Sequence, residues 1–173
     1  MPAKLFEHSR HVAIFASHLA TVHGCDPQWS YIAGLYHDIG KTCNLETMKQ
    51  EAVAGGVAFD EMETQSGSLM HAAASAALFR KDLNPPEAFV RAVRGHTVGD
   101  APFGKEEQIL YVADFAEPTR AYEECESVRR TADRDLRLAA LEAVTFKLRF
   151  VMLRGKLIHP RSVALYNHLL RIS

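Results

Sequence analysis

The sequence contains no Cys-x-x-Cys pair, and its three cysteines, Cys25, Cys43 and Cys125, are odd in number and far apart. That spacing excludes a disulfide-stapled scaffold, a zinc ribbon and a redox dithiol, and it suits a reducing compartment. No stretch approaches the ~18 unbroken apolar residues that a membrane span requires. His8, Arg10, His11 and His18 interrupt the region where a signal peptide would carry its apolar segment. Charge of one sign is also missing: 20 Lys and Arg against 21 Asp and Glu leave a net charge of −1. The chain therefore has no global field with which to hold nucleic acid, and an anionic ligand must be met by a local cluster. Together these absences predict a soluble cytoplasmic protein with neither a nucleic-acid nor a membrane partner.

What remains is globular material of ordinary composition. At 173 residues, with 47% apolar and 24% charged side chains, residues 1–173 are expected to form one domain with a core of its own. Repeats, low-complexity tracts and internal linkers are absent.

The periodicity is helical almost throughout. Leu5, His8, Val12, Phe15, Ala16, Leu19 and Val22 recur at three- and four-residue steps, one stripe of an amphipathic helix that Gly24 stops. Asp26-Pro27 opens a second helix toward Ile39 and Gly40. Asn44 can cap a third helix that ends at Gly55-Gly56, and Val57 to Gly67 reads as a loop. Ser68 can cap a helix carrying Leu69 to Phe79; Asn84-Pro85-Pro86-Glu87 breaks it and opens another toward His96. A helix through Ile109 to Ala113 ends near Pro118, Glu123 to Arg134 reads as a charged connector, and a long helix runs from Asp135 to about Arg154. His159-Pro160 opens a last one ending at Ile172. Val144 to Phe150 alternates apolar and polar residues, the pattern of a half-buried strand. No turn residue separates it from the helical stretch before it, and a lone strand would leave its backbone unpaired, so it is read as helix. The expected fold class is all-α.

His37-Asp38-Ile39-Gly40-Lys41 closes an otherwise apolar helix. Adjacent helical residues point about 100° apart, yet both side chains can converge on one cation at a helix end. A lone His-Asp pair is as readily a capping aspartate beside a surface histidine. Its company changes the odds. His8 lies on the apolar stripe, His71 on the alanine-rich helix, His96 at a helix-to-loop junction, and Asp114 inside the apolar run Ile109 to Ala116. A carboxylate in such a run is costly to bury unless paired, hydrogen-bonded or metal-bound. Imidazoles and carboxylates on separate inward faces suit iron, manganese or zinc, and helical bundles build such sites.

The order His8, His37-Asp38, Asp114 resembles the pattern of HD-domain metal-dependent phosphohydrolases. Finer pieces are similar to one branch, the YqeK family of symmetrical bis(5′-nucleosyl)-tetraphosphatases: Ala33 to Lys41, His71 with Ser75-Ala76, His96-Thr97-Val98-Gly99, Val112 to Arg120, Ile158-His159-Pro160 and Tyr166-Asn167. Leu5 and Phe103 stand where that family more often has arginine and methionine. The resemblance implies an HD-domain helical bundle with His8, His37, Asp38 and Asp114 as ligands of a first metal. That metal is usually iron; one or two ions, manganese or another divalent metal are also compatible. His71 and His96 match positions that complete a second metal or touch substrate phosphate. Lys41, Thr97 and Arg120 match phosphate contacts, while His159 and Asn167 match the nucleotide end. The implied reaction is symmetrical hydrolysis of diadenosine tetraphosphate to two ADP by metal-activated hydroxide, with Asp38, Lys41 and Arg120 in the catalytic set. An HD-type hydrolase of a nucleoside monophosphate or guanosine polyphosphate, or a non-catalytic nucleotide-binding domain, are the alternatives. For Lys41 the residues alone also allow a charge complementing the helix dipole, and for Arg120 a salt bridge to Glu123 or Glu124.

Overall fold

The structure is a computed structural model that describes residues 2–171. Its helices are α1 (Ala3–His23), α2 (Pro27–Tyr36), α3 (Leu45–Ala54), α4 (Glu61–Thr64), α5 (Gly67–Leu83), α6 (Glu87–Gly95), α7 (Lys105–Ala116), α8 (Glu123–Ala132), α9 (Leu136–Leu153) and α10 (Pro160–Arg171). A 3-10 turn, Ile39–Thr42, follows α2, and no strand occurs among the described residues. The all-α expectation holds, and Val144 to Phe150 lies inside α9.

Local chemistry explains most boundaries. Asp26 accepts from the backbone N–H groups of Gln28 and Trp29, with Pro27 pre-set for the first turn of α2. Asn44 and Asp135 cap α3 and α9 in the same way. Gly24 ends α1 at φ 72°, a left-handed conformation that glycine adopts freely. Ser68 is not a cap: α5 begins one residue earlier, behind Ser66. The expected end of the last helix at Ile172 lies outside the described residues.

Two segments expected to be irregular are helical. Within Val57 to Gly67, Asp60 and Glu63 form a reciprocal capping box that starts α4. The charged connector folds as α8, because Cys125, Val128 and Ala132 fall on one buried stripe. Most of its charges sit on the outer face, where Arg130 donates to Glu126 at 2.9 Å one turn away.

The core is one cluster fed by every long helix. Met70 to Ala77 of α5 and Glu107 to Ala113 of α7 are buried without interruption, so both helices are enclosed on all sides. The alanines of α5 keep its neighbours close, and α2 packs on α1, α5, α6 and α7. At the α1–α2 contact a Cβ on Gly34 would stand 2.4 Å from Ala13 Cα, so the two backbones touch. This close approach carries His8 toward His37.

A second tie joins α10 to the bundle. Arg161 donates to Asp60 at 2.8 Å and to Glu63 at 2.6 Å, and Arg94 of α6 donates to Glu63 at 2.7 Å. Burial alone would raise the Asp60 pKa, but the Arg161 guanidinium, the Glu63 N–H and His159 outweigh it and push it down to about 2. A folded-state value below the unfolded ~3.9 means stabilisation that is complete above about pH 4 and lost as the pH falls through about 2. Asp60→Asn is therefore expected to unfold at lower urea concentration than the parent near neutral pH, and the gap should close between about pH 4 and pH 2. A gap that stays constant over that range would show that the charge on Asp60 contributes nothing.

Candidate metal centre

Five helices converge on one carboxylate. His8 comes from α1, His37 and Asp38 from the end of α2, His71 from α5, His96 from the end of α6 and Asp114 from α7. His37 is 0% exposed and Asp38 1% exposed, so neither charge can be met by bulk water. Asp38 Oδ2 lies 3.4 Å from His37 Nε2 and 3.9 Å from His8 Nε2. Its other oxygen, Oδ1, lies 3.2 Å from His71 Nε2 and 3.5 Å from His96 Nε2. Asp114 Oδ1 closes the first group, 3.2 Å from His8 Nε2 and 3.7 Å from His37 Nε2. His37 and Asp38 face a common point because the α-helix stops at Tyr36 and the chain turns into the 3-10 segment.

The backbone orients the imidazoles. Nδ1 of His37 donates to the Gly34 carbonyl at 2.7 Å and Nδ1 of His96 to the Val93 carbonyl at 2.7 Å; His71 Nδ1 faces the Gly67 carbonyl at 3.3 Å. That network assigns the proton to Nδ1 and leaves Nε2 of each ring as a lone pair aimed inward. His37 Nε2 and Asp38 Oδ1 are buried with no hydrogen-bond partner, a state that is costly unless something else satisfies them. His71 Nε2 and His96 Nε2 are 3.0 Å apart, the separation of two cis nitrogens on a cation held at ~2.1 Å from each. His8, His37 and Asp38 each place a ligand atom within 4.8 Å of the others, as do Asp38, His71 and His96. This mixed imidazole and carboxylate set fits a first-row divalent ion, with Asp38 shared between the two groups.

The electrostatics follow from burial. Desolvation would raise the pKa of Asp38, but His37, His71 and His96 hold it far below the usual carboxylate range. Asp114 is likewise held low against its burial by His8, Lys147, His37 and His96. Burial pushes the His96 pKa down to about 4, helped by His37 and His71. For His37 burial acts in the same direction, yet Asp38, Asp114 and the Gly34 carbonyl overcome it and raise the pKa. A proton and a cation thus compete for the same His37 lone pair.

Cations border the cluster. Lys41 donates to Asp38 Oδ2 at 2.7 Å, and Arg120 donates to Asp114 Oδ1 at 3.4 Å. Lys41 therefore sits on the carboxylate itself, and Arg120 pairs with Asp114 and Glu117 rather than with Glu123 or Glu124. Thr97 Oγ1 is 3.1 Å from His96 Nε2 and 3.3 Å from His71 Nε2. Glu117, fastened by Thr119, faces His8 Nδ1 at 3.6 Å.

Two sequence candidates are not gathered here. His159 stands 3.0 Å from Asp60 in the α4–α10 network, and Asn167 lies on the exposed face of α10, outside the cluster's hydrogen bonds and ion pairs. Arg94 and Arg161 already balance the carboxylates around His159. Conversely, the sequence reading gave Ser75 no role and missed Arg129 and Lys147. Ser75 accepts the Gly40 N–H at 2.9 Å, and Arg129 caps the end of α7 through the carbonyls of Ala116, Glu117 and Arg120. Arg129 was hidden in a segment taken for a connector, and no local pattern marks Lys147.

A helical bundle with imidazoles and carboxylates converging from separate helices belongs to the class of bundles built around an internal metal site. Residues 5–118 match the HD domain family, and the chain belongs to that family, whose fold implies divalent-metal binding. The chain is 30% identical over 155 residues to a Bacillus subtilis protein named bis(5′-nucleosyl)-tetraphosphatase, symmetrical, with 89% of this chain and 83% of the relative covered. A Halalkalibacterium halodurans protein of the same name is 28% identical over 166 residues, covering 95% and 88%. A crystal structure of a predicted HD superfamily hydrolase involved in NAD metabolism, from Clostridium acetobutylicum, matches with TM-score 0.92 and 28% identity, over 100% of this chain and 92% of that one.

Gly40 is where the His-Asp segment meets α5. A Cβ there would lie 2.5 Å from the His71 carbonyl oxygen and 3.0 Å from Ser75 Oγ. Gly40→Ala is expected to cost about 1–3 kcal/mol by overpacking, seen as a melting temperature lower by roughly 2–4 °C per kcal/mol. An unchanged melting temperature would show that this contact yields freely.

Proposed function

We propose that the protein is a metal-dependent phosphohydrolase that cleaves diadenosine tetraphosphate symmetrically to two ADP, using one or two divalent ions, iron foremost and manganese next. The observation that carries this reading is the carboxylate of Asp38, shared between two histidine groups and bordered by Lys41. The similarity to relatives named for that reaction supports the substrate. A tetraphosphate carries dense negative charge, and a site of this kind must neutralise its oxygens as charge develops on them.

In this reading His8, His37, Asp38 and Asp114 hold the first ion, and His71 and His96 complete a second together with Asp38. Bound ions would acidify a coordinated water and draw charge from the phosphate oxygens. The chain's own side chains do the rest. Lys41 exchanges part of its contact with Asp38 for a phosphate oxygen, and the planar guanidinium of Arg120 offers two N–H groups to another. Thr97, whose hydroxyl stands 3.1 Å from His96 Nε2 and 3.3 Å from His71 Nε2, turns its O–H to a phosphate oxygen when those nitrogens hold an ion. Water adds its hydroxyl to one inner phosphorus, the central bridging oxygen departs with the other ADP, and the proton passes to solvent. His159, 3.0 Å from Asp60, and the exposed Asn167 stay the candidates for the nucleotide end of the substrate rather than for its phosphates. The continuous core supports reading residues 1–173 as one domain. Among the described residues no helix is long and apolar enough to cross a membrane; the three free cysteines and balanced charge support a cytoplasmic protein that does not bind nucleic acid.

The test is product analysis of metal-loaded protein with diadenosine tetraphosphate. ADP as the product is expected; AMP plus ATP, or no turnover, would overturn the proposal. Asp38→Ala should abolish both bound metal, by elemental analysis, and turnover. Arg120→Ala should keep its metal and raise KM roughly tenfold, the loss of one charge-assisted contact. Loss of metal with unchanged KM would reverse that assignment.

A further inference from the structure

Lys147 enters the metal centre from α9, a helix that supplies none of the candidate ligands. Its ammonium donates to the His96 carbonyl at 3.0 Å, stands 3.7 Å from Asp114 Oδ2 and lies 3.8 Å from the centroid of the Tyr111 ring. The side chain is 25% exposed. An ammonium has three N–H donors. The His96 carbonyl takes one, and 3.7 Å to Asp114 is an ionic approach rather than a hydrogen bond. Among the described residues its ammonium makes no further hydrogen bond. Asp114 meanwhile carries Arg120 on its other oxygen, Oδ1.

The charge count gives this arrangement a purpose. Three carboxylates, Asp38, Asp114 and Glu117, are matched by three cations, Lys41, Arg120 and Lys147. Each divalent ion that binds then leaves the centre with a positive excess. A third cation beside a metal ion weakens the metal's hold and is counterproductive for a neutral substrate, whereas a polyphosphate compensates it. We propose that Lys147 is a third phosphate-binding cation of this site, which reaches the phosphate chain from the Asp114 side while Lys41 approaches from the Asp38 side. The inference rests on the phosphohydrolase reading and adds to it a contact that no sequence motif marks.

The probe is ADP, titrated calorimetrically into metal-loaded parent protein, Lys147→Met and Lys147→Arg, with metal content measured on the same samples. Methionine keeps an unbranched apolar stem against Tyr111 and removes the charge. Lys147→Met is expected to bind ADP about tenfold more weakly with its metal content unchanged, and Lys147→Arg to stay within about threefold of the parent. Equal ADP affinity in Lys147→Met and parent would overturn the proposal. So would a loss of metal that accounts for the loss of ADP, which would make Lys147 a positioning residue for Asp114. Should Lys147→Met fail to fold by circular dichroism, Lys147→Gln supplies the same comparison. Parent protein that binds no ADP removes the phosphohydrolase reading and this inference together, whereas parent protein that binds it separates the two.

Discussion

A carboxylate that water cannot reach has to be stabilised by the protein, and Asp38 shows how much structure that demands. Stripping solvent from a charged carboxylate costs several kcal/mol unless other groups compensate. Lys41 compensates one of its oxygens at 2.7 Å, and histidines on four separate segments stand within 4 Å of the two oxygens with lone pairs that a shared cation would satisfy. Each partner imposes a condition on the fold. His8 requires α1 to touch α2, which Gly34 permits. His71 requires α5 to meet the turn after α2, which Gly40 permits. His96 requires α6 to end at that point, with its Nδ1 returned to the Val93 carbonyl.

The same arrangement that stabilises the carboxylate leaves the imidazoles incompletely satisfied. Two Nε2 atoms face one another at 3.0 Å, and His37 Nε2 has no partner. Buried polar atoms in native proteins almost always find a partner, so orphaned lone pairs that all point inward describe a cation-binding centre better than a packing accident. Around it the cationic side chains are held by carboxylates that belong to the cluster itself. Phosphate binding at such a site is an exchange of partners rather than the creation of a new positive patch, which is how a protein of net charge −1 can serve a polyanion.

Support for the centre extends well beyond the groups that face it. Arg129 on α8 fastens three carbonyls at the end of α7 and so fixes the segment that carries Glu117 and Arg120. Ser75 binds the Gly40 N–H and holds the His-Asp turn against α5. Positioning groups of this kind set ligand orientation and are as much a part of a metal site as its ligands.

Much of this was written in the chain. Apolar residues at helical spacing, caps at Asp26, Asn44 and Asp135, and stops at Gly24 and Gly55 act between near neighbours, so their outcome is local and legible. The histidines and aspartates on apolar stripes were legible too, because a polar side chain on an inward face signals a buried partner. The α8 helix was missed because its charges obscured the three-residue stripe beneath them, and α4 because a four-residue helix has too little periodicity to show beyond its capping box. Only the tertiary structure decided that Asp38 divides its oxygens between two histidine groups, that His159 turns to Asp60, and that Lys147 reaches Asp114 from 33 positions further along the chain. Those outcomes depend on how helices approach one another. Spacing along one helix gives the face on which a side chain lies, but not which distant side chain will stand opposite it.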